Sequence, residues 1–380
     1  MTTFPGNVAT MDTRLYVAAG GGGDALAAVM LHSEAAPGAR AVVATYAWDR
    51  LLIDPLPGPR PASDFSGLEE VATSLWRLTP ESAPIPPAGS SLPRMAAELD
   101  IDLVLLDPYE GAVGMAAALS AAVQVYKPSS VTIVDVGGDV LARGDEPQLK
   151  SPLADLLALA ACTRLDTEVD VAVLGVGLDG ELPGEYTLAR IAAHGGRRGP
   201  RLGPDAAEAI APLFAWHPSE ASGMLAAAAC GVRGTVEVRD AGTHILLSDT
   251  APESWLVPAP LVAAASELAR RLVDTSSLLE VEEQVRAVAG RSELDYERRK
   301  AVEFAGRPLR SSSGGDDGLE ERYRDFLARA DERGSDYVTI RRLAEQIGAP
   351  RGSEFEAWRT RLIAAEPHRY ARPLWSLRKA

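Results

Sequence analysis

The chain has 380 residues, 46% hydrophobic and 24% charged, a composition that excludes a disordered protein and allows two domains. Its formal net charge of −15 argues against a general nucleic-acid binder, whose affinity comes from neutralising phosphates. The first residues hold neither a basic region nor a long apolar one, and no apolar run is long enough to span a membrane, so a cytoplasmic location without a membrane partner is expected.

Short apolar runs at Leu15–Ala19, Ala41–Tyr46, Leu103–Leu106, Val131–Val136 and Val171–Val176 read as strands. Helical patterns at Ala25–His32, Pro93–Leu99, Ala112–Val125 and Leu153–Arg164 lie between them. This alternation predicts an α/β fold: an open, mostly parallel, Rossmann-like sheet covered on both faces. Pro55–Pro61 cannot be regular structure and, with Asp64–Leu68, reads as a rigid loop over the sheet edge. Val232–Val238 and His244–Ser248 read as a later hairpin or edge pair. Cys162 and Cys230 sit in alanine-rich runs and read as two reduced core cysteines.

After Pro258 the texture changes to charged helical patterns at Leu261–Leu272, Leu278–Val288, Leu294–Phe304, Leu319–Ala330, Thr339–Ile347 and Phe355–Ala365. Residues 1–258 are therefore read as a Rossmann-like catalytic or ligand-binding domain, and 259–380 as a helical accessory domain. The glycine-rich stretch 311–318 reads as a polar connector. Residues 291–380 carry 19 basic and 16 acidic side chains, so any basic patch lies there. A helix-turn-helix over Tyr337–Gly348 is the minor reading of that segment, a packing helix the major one.

Chemistry concentrates at the predicted strand ends, where open α/β sheets bind ligands. Gly20, Gly21, Gly22 and Gly23 follow the first strand, and Asp24 opens the next helix. Four glycines cost backbone entropy, which a close approach to a ligand would justify; helix-start amides suit a phosphate or carboxylate. Asp135 and Asp139 are four residues apart across Gly137-Gly138 and are read as ligands for Mg²⁺ or as acid–base groups. Other rim aspartates, Asp49, Asp54, Asp107 and Asp179, read equally as caps. Arg60, on the proline-rich loop, and Arg143 are read as anion partners, although Arg143 could pair instead with Asp145. His217, in Trp216-His-Pro-Ser, is an acid–base candidate, with Glu181 and Glu220 in reserve. Ser151 is a minor candidate, because Ser151-Pro152 with Asp155 already makes an ordinary helix start.

Ala19-Gly-Gly-Gly-Gly-Asp24, Trp48-Asp-Arg, Asp54-Pro-Leu-Pro-Gly-Pro-Arg60 and Val134-Asp-Val-Gly-Gly-Asp139 through Arg143-Gly-Asp-Glu146 occur in the order seen in the bacterial and archaeal family DUF1152. The chain resembles that family over roughly residues 12–250. The resemblance implies an α/β fold with a glycine-loop site and carries no reaction. The Asp135-x-x-x-Asp139 spacing is also similar to a metal motif of arginase-like ureohydrolases, with Gly137 in place of its histidine.

The leading expectation is a small-molecule hydrolase or group-transfer enzyme. Its substrate would be phosphorylated or carboxylated, a nucleotide or sugar phosphate included, with Mg²⁺ as the candidate cofactor and a homo-oligomer allowed. The alternatives are a nucleotide-binding sensor or regulator without turnover and a nicotinamide-dependent oxidoreductase.

Overall fold

A computed structural model describes residues 11–51, 53–239, 242–305, 317–348 and 353–378. The expected connector at 311–318 falls mostly outside them. The first half runs β1 (Thr13–Ala18), α1 (Gly22–Ala35), β2 (Arg40–Tyr46), then β3 (Phe65–Ser66), β4 (Glu69–Ala72), β5 (Leu75–Leu78) and β6 (Ala83–Pro84). It continues through α2 (Leu92–Glu98), β7 (Asp102–Leu106), α3 (Gly111–Tyr126), β8 (Ser130–Val136), α4 (Pro152–Cys162) and β9 (Val169–Leu174). Next come α5 (Gly184–Ala193), β10 (Arg197–Arg198), α6 (Pro204–Glu208), α7 (Glu220–Ala229), β11 (Gly234–Val238), β12 (Thr243–Leu247) and β13 (Ser254–Pro258).

Nine strands form the main sheet in the order β10-β13-β9-β8-β1-β2-β7-β5-β4. The inner five, β9-β8-β1-β2-β7, are parallel. The flanking strands are all antiparallel, so the sheet is mixed rather than mostly parallel. The apolar runs predicted as strands are the inner five, because only buried parallel strands are apolar on both faces. Within the expected loop Asp64–Leu68, Phe65–Ser66 is strand β3, paired with β6; β4 and β5 then join the main sheet as its antiparallel edge, hidden in the sequence because β4 carries exposed Glu69 and Glu70.

Strand residues alternate between two cores. Leu15 and Val17 face α3, α4 and later helices; Tyr16 and Ala18 face α1 and α7. Strand β1 lies between β2 and β8, so the chain leaves its central strand in opposite directions in its two halves. A crevice opens beyond the carboxyl ends at such a switch point.

The chain after residue 258 contributes α8 (Ala259–Ala265), α9 (Glu267–Leu272), α10 (Leu278–Ala289) and α11 (Glu293–Ala305). Ser266 breaks the single helix expected over 261–272 and caps α9 through the Ala269 amide. Then follow α12 (Asp317–Ala328), α13 (Ala330–Arg333), β14 (Tyr337–Thr339), α14 (Ile340–Ile347), α15 (Ser353–Ala365), β15 (Tyr370–Ala371) and β16 (Leu374–Ser376). This region is helical but not wholly so: β14 pairs with β11, giving a second sheet β12-β11-β14-β16-β15. Tyr337–Thr339 is therefore strand, where the minor reading placed a helix-turn-helix. Cys162 is buried as expected, whereas Cys230 is exposed; both are free thiols.

Candidate functional site

The glycine turn and the mid-chain carboxylates lie at the same rim. Gly20 donates its amide to Asp24 Oδ2 at 2.6 Å, and a Cβ on Gly20 would stand 3.4 Å from Asp155 Oδ1. Asp24, Asp135 and Asp155 each place a carboxylate oxygen within 4.8 Å of the others. Asp24 comes from the first turn of α1, Asp135 from the end of β8 and Asp155 from the first turn of α4.

A second trio adjoins the first. Asp139, Asp179 and Glu181 satisfy the same 4.8 Å criterion. The Gly137 amide bonds Leu174 O at 3.0 Å and the Gly177 amide bonds Gly137 O at 2.7 Å, tying together the loops after β8 and β9. That lacing lays Asp179 over Gly137. Asp135 and Asp139, expected to share one ligand, belong to different trios, although Asp139 stays within hydrogen-bonding reach of Asp135.

Burial pushes the Asp24 and Asp179 carboxyls up to about 7. Burial, then the charges of Asp24 and Asp179, raises Asp135 well above the carboxylate range. Asp139 and Asp155 are raised in the same way by burial and then by neighbouring carboxylates. Glu293, at the start of α11, is also raised by burial and accepts the Leu153 amide at 2.6 Å. Asp155 Oδ1 and both Asp179 oxygens are buried without a hydrogen-bond donor. Carboxylate oxygens of this kind need a proton or a cation. Hard oxygen donors crowded at this spacing fit Mg²⁺, Mn²⁺ or Ca²⁺ rather than a thiophilic metal.

Glu181 is the best satisfied member. It accepts the Lys150 amide at 2.7 Å, the Ser151 amide at 2.9 Å and the Ser151 hydroxyl at 2.6 Å, and pairs with Arg239 at 3.1 Å. Arg239 also donates to Asp179 O at 2.5 Å and holds a left-handed backbone, with φ 59°. Ser151 is thereby occupied by Glu181.

Both predicted arginines are engaged elsewhere. Arg60 is buried within its own loop, 3.0 Å from Asp54 and bonded to Pro57 O and Gly58 O. Arg143 is half exposed and pairs with Asp145 at 3.1 Å. Asp49 accepts the Ser91 amide and Asp107 the amides of Ala62 and Tyr109, the capping duties weighed for them. Trp48 is partly buried and donates to Glu297 at 2.9 Å.

His217 lies across the glycine turn from the trios. It is 8% exposed, and burial pushes its ring down to about 4. The Ser219 amide donates to Nδ1 at 3.2 Å, so Nε2 carries the proton; Nε2 has no partner. It stands 3.5 Å from the position of a Cβ on Gly22. Glu220 accepts from Thr339 at 2.5 Å and from the Arg239 amide, joining α7 to the second sheet.

The family described as "Protein of unknown function (DUF1152)" matches residues 15–301. The chain belongs to the DUF1152 family. The matched region runs from β1 into α11, so it holds both trios, His217 and Glu293. No curated protein and no solved structure matches the chain. No helix among the described residues is long and apolar enough to cross a membrane.

Proposed function

We propose that this DUF1152 protein is a divalent-metal-assisted hydrolase or group-transfer enzyme acting on an anionic small molecule. The observation that carries this reading is the pair of adjoining buried carboxylate trios with unsatisfied oxygens at the switch point of the sheet. Asp24, Asp135 and Asp155 would hold one cation, and Asp139, Asp179 and Glu181 a second. A bound Mg²⁺-type ion supplies Lewis-acid polarisation of a phosphoryl or carbonyl oxygen and a more acidic water. The chain's own contribution is to fix the donor set on the ends of β8 and β9 and the starts of α1 and α4 and to screen it from bulk water. Residues after 258 contribute as well, because Glu293 of α11 accepts the Leu153 amide two residues from Asp155.

A metal-free variant of this reading would use rim carboxyls themselves as the bases. Asp24 and Asp179, at about 7, are poised as general bases near neutral pH. A nicotinamide-dependent reading has less support: Asp24 turns the Gly20 amide away from a pyrophosphate and puts a carboxyl there instead.

Titration with Mn²⁺, followed by electron paramagnetic resonance and calorimetry, tests the metal. Binding that weakens in Asp155→Asn and Asp179→Asn, with chelator-sensitive turnover of phosphate or carboxylate esters, is the expected result. Turnover indifferent to chelation would select the metal-free variant. Absence of both metal binding and turnover would overturn the proposal.

A further inference from the structure

Helix α1 starts without a side-chain cap: its N-cap is Gly21, at φ 105°. The first amides of a helix have no acceptor inside the helix and carry its positive end. Here they belong to Gly22 and Gly23, and Gly22 is buried. By contrast α7, next to it, is capped by the Ser219 hydroxyl at the Ser222 amide.

Two buried polar side chains point at this uncapped start. His217 Nε2 and Ser91 Oγ stand 3.5 and 3.4 Å from the position of a Cβ on Gly22. Neither has a well-formed hydrogen bond, and both residues are more than nine-tenths buried. Ser91 stands between the turn and Asp49, whose carboxyl takes the Ser91 amide at 2.8 Å and lies within reach of the hydroxyl. His217 is the firmer donor, since the Ser219 amide at Nδ1 leaves its proton on Nε2.

We propose that the start of α1, with His217 and Ser91, is a subsite for a phosphoryl group of the substrate, next to the Asp24–Asp135–Asp155 trio. The subsite rests on the reading of the protein as an enzyme for an anionic small molecule and names the chemical class of that anion. The Gly22 and Gly23 amides have no acceptor inside the helix, and the Ser91 hydroxyl and His217 Nε2–H stand beside Gly22, so an anion at the start of α1 meets donors from the backbone and from side chains. Donors approaching from the helix start and from the His217–Ser91 side suit the tetrahedrally spread oxygens of a phosphate, the anion that helix starts recurrently bind. In this assignment His217 is a neutral binding donor and not an acid or base. Gly22 is glycine because any side chain would occupy the subsite.

The test measures inorganic phosphate binding to the full chain by calorimetry, with Mg²⁺ and with chelator. Gly22→Ala is the decisive variant. Its Cβ would make only ordinary contacts, and alanine is the better helix former, so the fold stays intact. We expect phosphate affinity to drop at least tenfold in Gly22→Ala and His217→Phe, and His217→Gln, which offers an amide donor, to retain most of it. In Gly22→Ala, Mn²⁺ binding should be unchanged and the melting temperature should not fall. Equal phosphate affinity in wild type and Gly22→Ala, or none in wild type under either condition, would overturn the subsite while leaving Mn²⁺ binding to report on the trios. Acetate competing as well as phosphate would overturn the phosphoryl assignment. Phosphate binding that survives where Mn²⁺ binding is absent would support the subsite and reject the metal.

Discussion

Asp179 lies directly over Gly137, so that a Cβ at residue 137 would overlap the Asp179 carboxylate. Gly137 also has φ 120°, a conformation that side chains rarely adopt. Gly137→Ala therefore carries two penalties, about 1–3 kcal/mol of backbone strain and a displaced carboxylate oxygen of the Asp139–Asp179–Glu181 trio. Urea denaturation should show a loss of that order together with weaker Mn²⁺ binding. Adding Asp179→Gly should remove the overlap and leave the strain, so the two substitutions should be non-additive. Strict additivity would mean that the two residues do not touch.

Replacing one carboxylate by its isosteric amide should separate stability from binding. In the metal-free protein Asp155 is opposed by Asp135, Asp24 and Glu293, and it is raised by burial before any of them. At alkaline pH, where Asp155 gives up its proton, Asp155→Asn removes that repulsion and offers an N–H to the neighbouring oxygens. The metal-free variant should melt higher than the metal-free wild type and bind divalent ions at least tenfold more weakly. Sites arranged for function commonly carry this trade-off. A lower melting temperature in Asp155→Asn would show that the carboxylate is stabilising in its own right.

The same crowding sets the pH dependence. Asp24 and Asp179 move from an ordinary 3.8 up to about 7, and Asp135, Asp139 and Asp155 are raised as well. Between those values the native state binds more protons than the unfolded chain, so stability falls as pH rises. His217 works in the opposite sense: it is pushed down from 6.5 to about 4, so its share of stability is lost as pH falls through that window. Three imidazoles, His32, His194 and His217, oppose the five carboxyls, and their windows close near 6.5. The melting temperature of chelated protein should therefore fall from pH 5 to pH 8. Saturating Mg²⁺ should raise it more at pH 8 than at pH 5, because the ion competes with protons. A flat profile without metal would contradict the shared burial of the trios.

Much of this arrangement is legible in the sequence. The inner strands announce themselves as continuous apolar runs, and Gly20–Gly23 and Asp135–Asp139 mark the rim because glycine beside aspartate at a strand end is rarely needed for packing alone. Asp24 stands out with them. Asp155 does not, since an acid in the first turn of α4 is what any helix start favours. Asp179 and Glu181 are visible as rim acids, but nothing local says which neighbours they meet; the lacing of Gly177 to Gly137 decides that. The strands β3–β6 and β14–β16 escape notice because they are two to four residues long, and β4 and β5 are charged as well. Arg60 misleads for a physical reason: a guanidinium held by prolines is preorganised equally well for Asp54 as for a ligand.

Glu293 leaves no local signal, yet it links the accessory helices to the site. It reaches from the first turn of α11 to the Leu153 amide at the first turn of α4, two residues from Asp155. That bond satisfies one of the amides that every helix start leaves without a partner. Glu293→Ala should cost about 1–2 kcal/mol, as for the loss of a cap. It should also weaken Mn²⁺ binding, because the turn carrying Asp155 loosens. Glu293→Gln keeps an oxygen for the Leu153 amide and removes a charge that acts on Asp155, so it should restore stability and most of the affinity. If Glu293 were instead itself a ligand to the ion, Glu293→Gln would lose affinity as fully as Glu293→Ala while recovering stability, and calorimetry on the two variants side by side tells these outcomes apart.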